Sequence, residues 1–157
     1  MILVKVQSDG VWGCGVASER CDLNNVPLGE SSWTFRNDLG FYSQANKIES
    51  ADIELNEGDV IGVTYDHVTL QFYLNGYSVG NGTWISLIQS LSRLFCVFFT
   101  KIFDKIKNPQ KGISGIKGKV YPVVFVDQSA ILDTEFINFE KRPPSGYGQI
   151  MFEQNIL

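Results

Sequence analysis

The chain of 157 residues carries 44% hydrophobic, 19% charged and 13% aromatic residues, which excludes a disordered tail, a collagen-like repeat and a coiled coil and fits one globular domain. A chain of this length buries about two-thirds of the surface its unfolded form exposes, so folding requires neither a disulfide framework nor a structural metal. The net charge of −4 opposes binding to nucleic acid or anionic lipid over most of the molecule, although the stretch from Gly80 to Lys111 holds five basic residues against one acidic.

Ile2 to Val6 alternates as a strand and lacks the charged start and cleavage site of a signal peptide, so cytoplasmic residence is expected. Val11 to Ala17 and Trp33 to Tyr42 are two further strand candidates. Between them Asp22 to Gly29, with two asparagines, a proline and a glycine, reads as an exposed loop. Val60 to Tyr65 reads as a buried strand, and Asp66-His67 supplies a polar break. Val68, Leu70, Phe72 and Leu74 then alternate with polar or amphipathic residues up to Asn75-Gly76, a hairpin signal.

From Ile85 to Lys107 the period changes. Trp84, Ile88, Leu91, Phe95, Phe98, Ile102 and Ile106 recur at three- and four-residue steps, which predicts an amphipathic helix. Gln89, Arg93, Lys101, Asp104 and Lys105 interrupt it too often for a transmembrane span. Beyond Pro109, Val120 to Val126 and Ala130 to Phe139 are β-rich runs separated by Asp127-Gln128-Ser129. The sum is an antiparallel β-sandwich with one helical excursion over residues 80–111, in a single domain spanning 1–157. Neither a glycine-rich phosphate loop nor βαβ spacing is present, which disfavours nucleotide-binding α/β folds.

The residues offer little chemistry. Cys14, Cys21 and Cys96 form no C-x-x-C pair, and their odd number at scattered spacing suits a reducing compartment. With His67 as the only histidine, a multi-histidine metal site is excluded. A cysteine triad could draw only on Cys14, His67 and Asp66, but Cys14 lies between glycines on a strand, where a small thiol packs, and His67 sits at a hairpin tip. Asp52, Glu54, Glu57 and Asp59 lack the spacing of a calcium loop and read as a solvated face. The expectation is therefore no enzyme activity, no cofactor and no metal. Trp12, Trp33, Tyr65, Tyr73 and Tyr121 admit a sugar-binding platform, but large aromatics on strands more often fill the space between two sheets.

The stretch Glu57-Gly58-Asp59-Val60-Ile61-Gly62-Val63-Thr64-Tyr65-Asp66, followed by Leu70-Gln71-Phe72-Tyr73-Leu74-Asn75-Gly76, resembles the SPRY domain. Trp12-Gly13-Cys14-Gly15-Val16-Ala17 upstream and Tyr121-Pro122-Val123-Val124 downstream complete three blocks in the family's order. Arg36-Asn37-Asp38, Thr64 to Val68, Val126-Asp127 and Ser129 to Asp133 resemble one small single-domain member more narrowly. Relative to the family pattern, the chain starts after the first strands of the sandwich and carries residues 80–111 in place of a short connection. The resemblance thus implies an all-β, antiparallel SPRY-type sandwich, N-terminally incomplete with an open edge, interrupted by the helical insertion.

The resemblance further implies a non-catalytic module, monomeric, that binds a protein or short linear peptide across one end of the sandwich. The corresponding loops are Asp22 to Gly29 and the turn at Val126-Asp127-Gln128. Leu23, Val26 and Leu28 are then the expected apolar contacts, and Asn24, Asn25, Asp127 and Gln128 the hydrogen-bonding ones. Asp127 stands where peptide-capturing relatives often place an aromatic residue. Two other classes of function remain: a membrane-surface adaptor using residues 85–107, and a lectin-like carbohydrate binder. Nucleic acid is not an expected partner.

Overall fold

The computed structural model describes residues 1–6, 9–79, 112–137, 139 and 141–148. Eleven strands occur among them: β1 Ile2–Val6, β2 Val11–Ser18, β3 Ser32–Arg36, β4 Gly40–Ser43, β5 Asn46–Ser50, β6 Val60–Tyr65, β7 Thr69–Leu74, β8 Tyr77–Val79, β9 Ile113–Ser114, β10 Val120–Asp127 and β11 Ile131–Thr134. They form two antiparallel sheets. One runs β11-β1-β6-β7-β8 with β9 also paired to β7, and the other runs β10-β2-β3-β4-β5. The described residues form the expected antiparallel β-sandwich and contain no helix. The helix expected over 85–107 lies outside the described residues.

The alternating residues of the two sheets meet in one core. Trp12, Cys14 and Val16 from β2, Trp33 and Phe35 from β3 and Phe41 from β4 face Ile2, Val4, Ile61, Leu70 and Phe72 from the opposite sheet. At its centre Phe35, Phe41 and Phe72 form a triangle with ring centroids 5.2, 5.6 and 5.7 Å apart, all tilted. That geometry matches the quadrupole preference of aromatic rings for inclined over face-to-face contact.

Two hairpins close as their residues require. At Asn75-Gly76 both residues have positive φ, 52° and 90°, as a tight two-residue hairpin turn demands. The Asn75 side chain also accepts from the Val60 amide at 2.9 Å and donates to Asp59 at 2.7 Å, tying the turn to the start of β6. At the other end of β6, His67 takes φ 68° while the Asp66 carboxylate accepts from the Val68 and Thr69 amides at 2.9 and 2.6 Å.

Two expected strands are corrected. The run from Trp33 to Tyr42 is not one strand but two, β3 and β4, because Leu39 turns the chain at φ 57° and the Asp38 carboxylate accepts from the Gly40 amide. The second β-rich run holds a strand only over Ile131–Thr134, and it does not pair with β10. The Asp127–Ala130 turn instead carries the chain from one sheet to the other, since β10 pairs β2 while β11 pairs β1. This crossing packs on Gly10, where a Cβ would lie 2.5 Å from Ala130. β5 is fully exposed and shows no alternation, which is why the sequence pattern passes over it.

The strands that flank residues 80–111 in sequence share one edge of β7. β8 places Val79 opposite Phe72, and β9 places Ile113 opposite Leu70 on the same strand. The two short strands thus run in line, and Gly112 stands where the residue after Val79 would pair. A variant joining Val79 directly to Gly112 should therefore retain the sandwich, with near-ultraviolet circular dichroism and amide spectra preserved for the described strands. Phe72→Ala, by contrast, opens the aromatic triangle and should cost about 3–5 kcal/mol in denaturant unfolding, a large share of the roughly 5–15 kcal/mol that holds such a domain together.

Candidate interaction surface

β3 is buried on both faces although a sandwich strand has only one face toward the core. Trp33 and Phe35 belong to the core, whereas Ser32, Thr34 and Arg36 point to the outer side and are buried there. What covers them is the loop between β2 and β3. Leu28 is only 2% exposed, its carbonyl accepts from the Arg36 guanidinium, and the Gly29 carbonyl accepts from Ser32 Oγ at 2.7 Å. The loop leaves β2 at Ser18 but folds back along the sheet as far as Arg36, which pairs with Gly13 near the other end of that strand.

The exposed part of the loop is organised by Asp22. Its Oδ1 accepts from the Asn24 amide at 2.9 Å and from Asn24 Nδ2 at 3.1 Å, while Oδ2 accepts from Asn25 Nδ2. These bonds hold the Asp22 carboxyl below the usual carboxylate range, the Asn24 backbone amide contributing most. They engage one Nδ2 hydrogen of each asparagine, and both side chains remain exposed. Leu23 stands 66% exposed beside them, and Val26 is half-buried next to the cis bond to Pro27.

The second element is the turn after β10. Gln128 and Ser129 have φ 52° and 71°, the Gln128 amide donates to Asp127 Oδ1 at 2.7 Å, and both Asp127 and Gln128 are exposed. The two elements approach through their anchors. Phe125, two residues before Asp127 and on the same side of β10, lies over Gly13, with its ring centroid 5.9 Å from the Arg36 guanidinium that binds Leu28. Six of the seven expected contact residues, Leu23, Asn24, Asn25, Val26, Asp127 and Gln128, are exposed or half-buried. Leu28 is the exception: its side chain is an anchor, closed off from any ligand.

Arg36 and Tyr42 are the members of this surface that the sequence pattern does not single out. The guanidinium sits 3.6 Å from the centre of the Tyr42 ring. Tyr42 Oη donates to Asp38 Oδ2 at 2.6 Å, and Lys47 bridges the same carboxylate at 3.0 Å. The available signal was a single arginine following serine and threonine at alternate positions, a polar outer face on a strand next to a long loop.

Among the described residues, Cys14 and His67 do not converge. Cys14 is in the core, and burial pushes its thiol up to about 12; His67 is exposed at a hairpin tip of the opposite sheet. Asp59 is engaged by the Asn56 amide and by Asn75, each at 2.7 Å. Trp12, Trp33 and Tyr73 are buried, so they offer no stacking platform for a sugar. A cleft of about 640 Å³ opens between β6 and β10, walled by Val63, Tyr65, Pro122 and Val124 and bordered by residues of the 135–148 segment; neither the loop nor the Asp127 turn lines it.

The SPRY domain model matches residues 2–139. The chain is 40% identical over 157 residues to SPRY domain-containing protein 7 of Gallus gallus, Bos taurus and Homo sapiens, and the alignment covers 97% of this chain and 64% of each relative. The chain thus spans just under two thirds of the length of these curated relatives.

Two measurements test the geometry. In a Cys96→Ser background one thiol, Cys21, should react with a thiol reagent in native protein, and Cys14 should react only after unfolding. The Asp22 turn should respond to acid. A carboxyl whose folded pKa is depressed contributes fully above the ordinary aspartate value of about 4, and that contribution is lost as pH falls toward the lower folded value. The Asn24 amide resonance should therefore shift with a midpoint below that of a peptide aspartate, and the titration should vanish in Asp22→Asn.

Proposed function

This chain belongs to the SPRY domain family, and on that premise we propose that it is a cytoplasmic, non-catalytic adaptor that binds a protein or short linear peptide through the Asp22–Gly29 loop and the Asp127–Gln128 turn. SPRY domains are in general protein-interaction modules. The observation that carries the finer reading is the construction of the loop: Leu28 is buried beneath it, while Leu23, Asn24 and Asn25 are exposed. A loop ordered before binding loses less conformational entropy on capture, which is how short ligands are held by few contacts.

In this reading Leu23 and Val26 give apolar contact. The carbonyl oxygens of Asn24 and Asn25 and the Asp127 carboxylate accept hydrogen bonds from ligand amides, and the Gln128 side chain can donate. No proton transfer or covalent step is required of any residue.

The test is affinity capture from cytosol with the intact chain beside an Asn25→Ala, Asp127→Ala double variant. Each substituted side chain is exposed and bonds only within its own turn, so the variant should keep the fold with at most a small loss of thermal stability. Loss of a specific captured protein in the double variant is the expected outcome. Capture that survives it unchanged would move recognition to another part of the chain.

A further inference from the structure

Arg36 is a buried cation with no carboxylate within ion-pair distance among the described residues. It is 8% exposed, a burial that is costly for a charged group unless its donors are met. Three partners meet it. Nε donates to Thr34 Oγ1 at 3.3 Å, Nη2 donates to the Leu28 carbonyl, and the guanidinium plane lies 3.6 Å from the Tyr42 ring centre. Burial lowers its pKa from the ordinary arginine value, and Tyr42 and Asp38 oppose that shift; an arginine stays protonated under such a shift. Only one of these contacts reaches outside the sheet, and it falls on the loop.

The loop has few other ties. The Ser32–Gly29 bond and the backbone pairs Ser18–Ser31 and Cys21–Ser18 hold its base, and the Asp22 cluster is internal to it. Tyr42, on which the guanidinium stacks, is itself held by Asp38 from the β3–β4 turn, and Lys47 of β5 binds the same carboxylate. A continuous series of contacts therefore runs from Lys47 through Asp38, Tyr42 and Arg36 to Leu28. Lysine could supply the charge and one bond, but not the planar stack together with two divergent donors.

We propose that Arg36 is the positioning residue of the recognition loop: its guanidinium, clamped on Tyr42, holds the Leu28 carbonyl down and so sets the Asp22–Gly29 loop against the outer face of the five-stranded sheet, beside the strand that ends in Asp127. The consequence for ligand capture rests on the function proposed above, whereas the ordering of the loop does not.

Hydrogen exchange on the intact, ligand-free chain separates the two. In Arg36→Met, which keeps an apolar stem and loses the charge and donors, amides of residues 23–26, 28 and 29 should exchange at least about tenfold faster, while exchange in β2, β3 and β7 changes much less. Arg36→Lys should recover part of the protection. Tyr42→Leu, which removes the stacking ring and leaves Arg36 in place, should loosen the same residues, and it carries the test should Arg36→Met not fold. Unchanged loop exchange in these variants, or a rise equal to that of the core strands, would overturn the proposal; full protection in Arg36→Lys would overturn the role given to the stack. If Arg36→Met loosens the loop while the Asn25→Ala, Asp127→Ala variant still captures its partner, positioning stands and the recognition site falls.

Discussion

β2 has almost no side chains on its outer face, and much of the five-stranded sheet depends on that. Gly13 and Gly15 alternate with Trp12, Cys14 and Val16, so one side of the strand is all core and the other nearly bare backbone. A Cβ on Gly13 would lie 2.3 Å from the Phe125 ring, and one on Gly15 2.0 Å from the Trp33 carbonyl oxygen. The second clash is with backbone, which cannot swing away. The bare surface lets Phe125 lie flat across the sheet, and its ring then borders the place where the Arg36 guanidinium rests. A methyl group at position 13 would lift the ring and, with it, one wall of the space that the loop covers.

The outer face is thus a second, smaller packed layer built from unlike parts. Leu28, Phe125 and Ala17 are apolar and buried, but the group that joins loop to sheet is a cation. A leucine in that place could fill volume; it could not tell one loop position from another. A guanidinium with a carbonyl on one donor and a hydroxyl on another accepts few arrangements, since any slip strands a buried charge. Directional bonds are what give this loop one conformation over a sheet face that hydrophobic contact alone would leave slippery.

Polar residues elsewhere are spent in the same manner. Asp22, Asp38, Asp59, Asp66 and Asn75 each bind a backbone amide within a turn or at a strand end. The Cys14 thiol is buried in the core, whereas His67 is exposed at a hairpin tip of the opposite sheet. Among the described residues the polar groups shape turns and the apolar ones fill the core. Membership of the SPRY family agrees with that division.

Periodicity made the fold class and much of the core legible. Alternation in Val68 to Leu74, the Asn75-Gly76 turn and the small residues of β2 are local signals, because a strand's inward face and a tight turn's positive φ are decided by adjacent residues. Leu23, Asn24, Asn25, Asp127 and Gln128 were readable as exposed for the same reason. Pairing was not: nothing near Asp127 says that the strands on either side of it belong to different sheets. Leu28 and Arg36 show the limit most clearly. Eight residues apart, Leu28 lies in a loop that reads as exposed and Arg36 on the polar side of a strand, yet both are buried where the loop folds back over the sheet. Local sequence determined which residues could turn, alternate and pack, whereas only the tertiary structure decided which surface the loop would cover, because burial there depends on contacts between segments that the chain does not place side by side.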